Sequence, residues 1–156
     1  MPKATVRRAE IGDGAALFPN LRPADKREII AGSGKLLQAT LDDGIRTSEE
    51  GWAVVLEDET IALYGYRETD ENSAFVWMLG SEKILDIRWQ FLRATKNTIK
   101  QIMKKYDSLW SLSYAKNTAH SDWYKWAGFK VMDTIDAGPF DLPFNYILLT
   151  KEEDDG

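Results

Sequence analysis

Cysteine is missing from this sequence of 156 residues, and histidine occurs once, at His120. The lack of cysteine excludes disulfides, thiol catalysis and zinc sites with cysteine ligands, and a single histidine excludes metal sites that need two. No apolar run approaches the ~20 residues of a membrane span, and the first residues, MPKATVRRAEIGDG, lack the apolar segment of a secretory signal. We therefore expect no membrane span, no secretory leader and no histidine-rich metal centre.

An excess of basic residues is also missing, because the net charge is −5 at pH 7. Bulk binding to nucleic acid or to anionic membranes is therefore disfavoured, although a local basic patch stays open as an alternative. The chain is rich in core-forming residues, with 44% hydrophobic residues and six each of Trp, Tyr and Phe. Its length fits one domain, which we place at residues 1–150, followed by an acidic tail at 151–156 that we expect to fray.

Hydrophobic periodicity and turn residues predict alternating blocks of strand and helix. The expected strands are 5–9, 52–56, 60–66, 74–79, 107–114, 129–135 and 145–150, and the shorter helices are 15–18, 24–30, 36–41 and 118–126. One long helix is predicted at 83–106, with an apolar stripe of Leu85, Trp89, Leu92, Ile99, Ile102, Met103 and Tyr106. This order predicts an α+β fold built on one mixed sheet.

The segment KNTAHSDWYKWAGF, at 116–129, carries the clearest motif in the chain. An Asn is followed seven residues later by a Tyr, and a Gly-Phe pair then leads into a predicted strand, at Asn117, Tyr124, Gly128 and Phe129. At these spacings the segment resembles the second half of the GNAT family of acyl-CoA N-acyltransferases. The resemblance implies a GNAT-like fold, with a mixed, mostly antiparallel sheet flanked by helices. It also implies that Tyr124 is the general acid toward a leaving thiolate and that Asn117 contacts the pantetheine arm of acetyl-CoA.

The segment GSEKILDI, at 80–87, departs from the GNAT pattern. In that family, closely spaced glycines let backbone N–H groups hold the cofactor pyrophosphate at a helix N-terminus. Here no glycine follows Gly80, and Lys83 is the single cation. Two bulky residues and two carboxylates that would repel phosphate stand in the segment, at Ile84, Leu85, Glu82 and Asp86. We therefore expect no cofactor, and acetyl-CoA only if the chain is an active enzyme.

A second resemblance covers roughly residues 85–131. A basic helix ends in a Lys-Tyr-Asp-x-Leu-Trp run, followed by a strand and an Asn-Thr-x-His run, at Lys105, Tyr106, Asp107, Leu109, Trp110, Asn117, Thr118 and His120. This pattern is similar to the small internal virion proteins of short-tailed (podovirus) bacteriophages. The resemblance implies a non-enzymatic virion protein with a degenerate acetyltransferase fold, which acts in assembly or DNA ejection. Its partners would be other virion proteins, and its location the virion interior and, during assembly, the host cytoplasm. The alternative is an active acyl-CoA-dependent N-acetyltransferase with a divergent cofactor loop.

Each candidate residue also has a structural interpretation. Tyr124 is expected mainly to pack beneath the sheet with its hydroxyl bonded to a backbone group, and Asn117 mainly to cap the helix that begins at Thr118. His120 is expected mainly to be surface-exposed or locally bonded, and the carboxylates at 57–59 to be solvated. Both are minor candidates for a catalytic base. The sequence GSGK at 32–35 lacks phosphate-loop spacing and is expected to break a helix.

The predicted long helix also carries basic side chains away from its apolar stripe. Four of them form a candidate nucleic-acid face, because each phosphate contact adds salt-dependent affinity: Arg93, Lys96, Lys100 and Lys104. The competing interpretation is a solvated helix face of mixed charge. We therefore expect at most a weak DNA contact.

Overall fold

Seven strands and five α-helices make up the computed structural model, which describes residues 3–151. The strands are β1 (Ala4–Arg8), β2 (Glu50–Leu56), β3 (Glu59–Asp70), β4 (Ser73–Gly80), β5 (Ser108–Tyr114), β6 (Lys130–Ala137) and β7 (Leu142–Thr150). The helices are α1 (Asp13–Leu17), α2 (Pro23–Ser33), α3 (Gln38–Thr47), α4 (Arg88–Ile102) and α5 (Thr118–Trp126), with 3₁₀ turns at Phe18–Asn20 and Glu82–Ile87. Of the predicted acidic tail, only Lys151 lies within the described residues.

One sheet contains all seven strands, in the order β1-β2-β3-β4-β5-β7-β6. Neighbouring strands are antiparallel except β4 and β5, which are parallel because α4 carries the chain from the end of β4 back to the start of β5. The predicted α+β fold, with a mixed, mostly antiparallel sheet flanked by helices, is confirmed.

The two parallel strands separate soon after they start. Their pairing is confined to residues 73–75 of β4 and 108–110 of β5. Beyond this point β4 stays paired with β3, and β5 stays paired with β7. The sheet therefore opens between the second halves of β4 and β5, and this opening positions the candidate site.

Helices cover both faces of the sheet, so strands in its middle are apolar on both sides. On one face α4 and α5 pack over the sheet in a cluster that includes Ile99, Ile102, Leu109, Tyr124, Phe129 and Ile147. On the opposite face α1 and α3 contribute Leu17 and Leu41 to a second cluster, and α2 contributes Ala31 to a third with Tyr114 and Phe144. Each fully buried side chain of this size stabilises the fold by roughly 1.5–3 kcal/mol.

The predicted helix at 83–106 is wrong at both ends. A 3₁₀ turn, Glu82–Ile87, comes first, and α4 then runs from Arg88 to Ile102. The turn begins at Ser81, whose hydroxyl accepts a hydrogen bond from the backbone N–H of Lys83. A 3₁₀ turn has three residues per turn instead of 3.6, so it shifts the side chains relative to an α-helix.

This shift overturns the start of the predicted apolar stripe. Leu85 and Trp89 are 65% and 67% exposed, while Ile84, Ile87 and Phe91 are buried in their place. The later part of the stripe, around Ile99 and Ile102, is buried as predicted. The helix thus packs on the sheet, but with a different face at its beginning.

Candidate active site

A cleft of about 390 Å³ opens where β4 and β5 separate, on the face of the sheet that carries α2 and α3. Its walls are mostly apolar, with Trp77 from β4, Leu112 from β5 and Phe144 from β7. Several polar side chains also line it, among them Glu28 from α2, Arg67 from β3, Ser111 from β5 and Tyr124 from α5. An apolar cavity with a few convergent polar groups is the usual form of a small-molecule site.

Tyr124 belongs to the opposite face of the sheet and lines the cleft where β4 and β5 part. It is 3% exposed, and its ring packs against Trp123, Phe129 and His120 at centroid distances of 4.8, 5.2 and 6.2 Å. Its hydroxyl donates a hydrogen bond of 3.4 Å to the hydroxyl of Ser111. Burial raises the pKa of Tyr124 well above its ordinary value, so the phenol keeps its proton at neutral pH. The expected packing is confirmed, but the expected backbone partner of the hydroxyl is wrong, because the partner is the Ser111 side chain. The same position suits a proton donor.

A buried cluster of charged side chains lies beside Tyr124 and was missed by the sequence reasoning. His120 is 2% exposed, and its Nδ1 lies 2.8 Å from Oε2 of Glu28. Its Nε2 lies 3.1 Å from Oδ1 of Asp25, without the alignment of a good hydrogen bond. Arg22 completes the cluster by contacting the carboxylate of Asp25 at 3.1 Å. The lone histidine is therefore held between two carboxylates of α2.

The charges of this cluster stabilise one another. Burial would lower the pKa of His120, but the charge of Glu28 and the contact with Asp25 outweigh it and raise the pKa to about 9. Burial would likewise raise the pKa of Asp25, but His120, Arg22 and a backbone N–H lower it to about 2. At neutral pH the cluster thus holds an imidazolium between two carboxylates.

Asn117 caps α5 as predicted, and both ends of its side-chain amide are bonded. Its Oδ1 accepts a hydrogen bond of 3.3 Å from the backbone N–H of His120. Its Nδ2 donates to Oδ1 of Asp25 at 3.0 Å, and the residue is 1% exposed. The side-chain amide thus stabilises the start of α5 and its contact with α2. Its contact with a pantetheine arm stays a prediction.

The edge of β4 that faces the opening is already bonded to the start of α2. The carbonyl of Gly80 accepts a hydrogen bond of 2.9 Å from the N–H of Arg22, and the N–H of Gly80 donates one of 2.8 Å to Asp25. A bridge between Leu21 and Ser81 extends this contact. Asp25 thereby connects the end of β4 to Asn117 and His120. Together, the Asp25 carboxylate and the Arg22 backbone N–H occupy both hydrogen-bonding groups of Gly80 at this end of the opening.

The segment after β4 does not fit the pyrophosphate of coenzyme A in the way that a glycine loop would. Ile84 is buried over Gly80, so closely that an added Cβ at Gly80 would overlap its δ-methyl group. Two exposed carboxylates, Glu82 and Asp86, face solvent in the same segment. Its cation, Lys83, is paired with Glu59. Of the regions that would contact acetyl-CoA, the cleft fits it and the segment after β4 does not. The thioester and the amine would meet in the cleft.

Of the remaining candidates, the segment 32–35 touches the cleft through Gly32, and the others lie outside its lining. The turn at 57–59 joins β2 to β3, and none of its residues lines the cleft. Gly34 ends α2 with a φ of 85°, which confirms the predicted helix break at 32–35. Lys96, Lys100 and Lys104 line a separate groove on the opposite face of the sheet, whose lining does not include Arg93. Among residues 3–151, no set of His, Asp or Glu side chains is arranged to hold a metal ion.

No family model matches this sequence, and no curated protein matches it. Solved structures do match its fold. The acetyltransferase (GNAT family) from Bacillus anthracis superposes with a TM-score of 0.73 at 12% identity, covering 98% of both chains. Ard1 from Thermoplasma volcanium gives 0.71 at 12% identity, covering 96% of this chain and 99% of its own. The chain has the GNAT fold.

A third GNAT-fold neighbour carries ligands. The aminoglycoside acetyltransferase AAC(6')-Ib, in complex with ribostamycin and coenzyme A, gives a TM-score of 0.69 at 17% identity and covers 96% of this chain and 94% of its own. The same protein is also solved with acetyl-CoA. Coenzyme A and acetyl-CoA are thus ligands of a protein that shares this fold, and the absence of a cofactor in this chain stays a prediction. None of the matches supports the resemblance to phage virion proteins, and identities this low show the fold alone. Within residues 3–151, no helix combines the length and the apolar character needed to span a bilayer.

Proposed function

We propose that this protein is an N-acyltransferase that transfers an acyl group from a thioester to an amine bound in the cleft. The observation that carries the proposal is the position of Tyr124, a protonated phenol that lines an apolar cleft where the parallel strands of a GNAT sheet part. The ligands of AAC(6')-Ib, coenzyme A and an aminoglycoside, support the same chemistry by analogy of fold.

Two side chains of the cleft supply the proton transfers that such a reaction needs. Acetyl-CoA, when bound, would supply the thioester. The Glu28 carboxylate accepts the proton that the amine nitrogen loses as its bond to the acyl carbon forms. Tyr124 donates its hydroxyl proton to the sulfur as the carbon–sulfur bond breaks. One proton is taken up and one is released, so the reaction as a whole is balanced.

The cluster around His120 positions Glu28 for this role. One carboxylate oxygen of Glu28 faces His120, and the other accepts a hydrogen bond of 2.7 Å from the backbone N–H of Tyr114. The side chain of Glu28 is 15% exposed, so it is anchored and still reaches the cleft. A base held in this way loses little conformational entropy during the reaction.

An assay with acetyl-CoA and a panel of primary amines tests the proposal. Tyr124→Phe should lower kcat by about 10²–10⁴-fold, the usual effect of losing a positioned acid, because the phenyl ring keeps the packing. Tyr146→Phe, on β7 and outside the cleft lining, is the matched control and should keep full activity. Acetylation that is unaffected in Tyr124→Phe would contradict the assignment of the acid.

A second candidate function is a non-enzymatic virion protein with other virion proteins as partners. The observation in its favour is that Arg22 and Asp25 occupy the edge of β4, next to an acidic segment without glycines. A strand edge that is already hydrogen-bonded to the protein's own groups suits a fold retained for assembly. Mass spectrometry of purified virions from a phage that carries this gene would test this candidate, and absence of the protein from the particles would count against it.

A further inference from the structure

A second groove, distinct from the cleft, lies between α4, the end of α5 and the edge formed by β6 and β7. Its volume is about 720 Å³, and it shares no lining residue with the cleft. Five lysines line it: Lys96, Lys100, Lys104, Lys130 and Lys151. Apolar side chains complete the lining, including Ile99, Met103, Ala127, Leu148 and Leu149. We call this feature the basic groove.

Among residues 3–151, few carboxylates pair with the lysines of the basic groove. Among the described residues, Lys151 is the one groove lysine with a carboxylate within 4.0 Å, and that contact to Asp107 is long, at 3.9 Å. Lys105 shows the contrast, because it turns away from the groove and lies 2.8 Å from Glu50. Cations grouped in a concavity without counter-charges raise the local concentration of anions.

The grouping of five lysines in one groove contrasts with the negative net charge of the chain. The chain carries a net charge of −5, so an average surface patch would be acidic. Within the described part of the chain, no Asp or Glu lines the basic groove. Segregation of lysines on an acidic protein points to an anionic ligand with several charges, since a single charge would not engage lysines on α4, β6 and the segment after β7 together.

An aromatic face adjoins the lysines. Trp126, at the end of α5, is 41% exposed, and the ammonium group of Lys96 lies 4.9 Å from the centroid of its ring. Exposed aromatic rings beside a positively charged groove bind unstacked bases, and each base–aromatic stack contributes about 1–3 kcal/mol. A duplex keeps its bases stacked inside, so it would use the lysines but not the indole or the apolar part of the groove.

We propose that the basic groove binds a single strand of nucleic acid, with its phosphates on the lysines and a base stacked on Trp126. This site is independent of the acyl-transfer proposal, because it lies on the other face of the sheet and uses none of the same residues. It extends the sequence-based candidate face and changes its membership, with Lys130 and Lys151 in place of Arg93.

Fluorescence anisotropy with the full chain tests the proposal. The probes are labelled oligonucleotides of about 20 nucleotides, single-stranded and duplex, with inorganic tripolyphosphate as a competitor. The single strand should bind more tightly than the duplex, and tripolyphosphate should compete weakly. With four or five phosphates engaged, affinity should fall by roughly 50- to 100-fold between about 50 and 200 mM salt. Binding that is absent at low salt, insensitive to salt, or stronger for the duplex or for tripolyphosphate would overturn the proposal.

Matched variants separate the groove from bulk charge. Replacing Lys96, Lys100 and Lys104 together by Gln should abolish most binding and reduce the slope of log affinity against log salt by about 2. The control replaces three exposed lysines elsewhere by Gln: Lys3, Lys35 and Lys116. Equal losses in both triple variants would contradict a specific groove. Trp126→Phe should reduce the quenching of tryptophan fluorescence on binding, and unchanged quenching would contradict base stacking on this residue.

Discussion

At the scale of single residues, His120 is the side chain whose role differs most from its sequence-based interpretation. A lone histidine in the first turn of a short helix was expected to be surface-exposed or locally bonded, yet it is buried between Asp25 and Glu28. The two carboxylates lie about ninety residues earlier in the sequence, in α2. No local pattern connects them to the motif of α5, so only the tertiary fold reveals the cluster.

The cluster predicts a pH dependence of stability whose sign follows from the two pKa values. His120 has its pKa raised from 6.5 to about 9, so its contribution is complete below pH 6.5 and is lost as the pH rises through 9. Asp25 has its pKa lowered from 3.8 to about 2, so its contribution is present above pH 3.8 and is lost as the pH falls toward 2. Between pH 6.5 and 9, the free energy of unfolding should fall by up to about 3 kcal/mol.

Two measurements check this prediction. Because the chain has one histidine, the imidazole carbon-bound protons give an unambiguous NMR titration, which should have its midpoint near the raised pKa of about 9. Chemical denaturation at pH 6.5 and 9 should show the loss of stability, and His120→Gln should remove the difference between the two values. An imidazole that titrates at its ordinary pKa would contradict the ion-paired cluster.

At the scale of elements, the side chains buried at the start of α4 differ from those that the sequence predicts. Periodicity places Leu85 and Trp89 on the buried stripe, but the 3₁₀ turn buries Ile84 and Ile87 instead. The signal for that turn is the single cap at Ser81, which helical periodicity does not register. In contrast, the predicted bounds of α5 agree with the structure, because Asn117 caps its start and Gly128, with a φ of 102°, follows its end.

A pair of adjacent substitutions tests the register of the 3₁₀ turn. Ile84→Ala removes a buried side chain from the core cluster of β2, β3 and α4 and should destabilise the protein by about 2–4 kcal/mol. Leu85→Ala is the matched control and should change stability by less than about 0.5 kcal/mol, because this side chain is exposed. Equal effects of the two variants in urea denaturation, or a larger effect at Leu85, would support the continuous α-helix and contradict the turn.

At the scale of the whole molecule, the fold follows from the sequence more readily than the site does. The order of strands and helices and the Asn117–Tyr124 spacing are local features, and they are enough to predict a GNAT-like sheet. The opening between β4 and β5, and its closure by Arg22 and Asp25, depend on contacts between distant segments. A sequence pattern therefore identifies Tyr124 as a candidate but leaves out Glu28, its proposed partner in the cleft.

Binding of an acyl-CoA donor would involve movement at the start of α2. Acyl-CoA in the opening would compete with the bonds from Arg22 and Asp25 to Gly80, so α2 has to give way at its start for the donor to reach Tyr124. Donor binding therefore depends on opening the hydrogen bonds at the edge of β4.

Titration of acetyl-CoA into the full chain, followed by calorimetry and by thermal melting, tests whether the protein uses an acyl-CoA donor. An N-acyltransferase should bind the donor with a dissociation constant below ~100 μM, which at millimolar acetyl-CoA stabilises the folded state by more than about 1 kcal/mol and raises the melting temperature. No heat of binding and no melting shift at millimolar acetyl-CoA would contradict the acyltransferase and leave the GNAT fold as a structural scaffold.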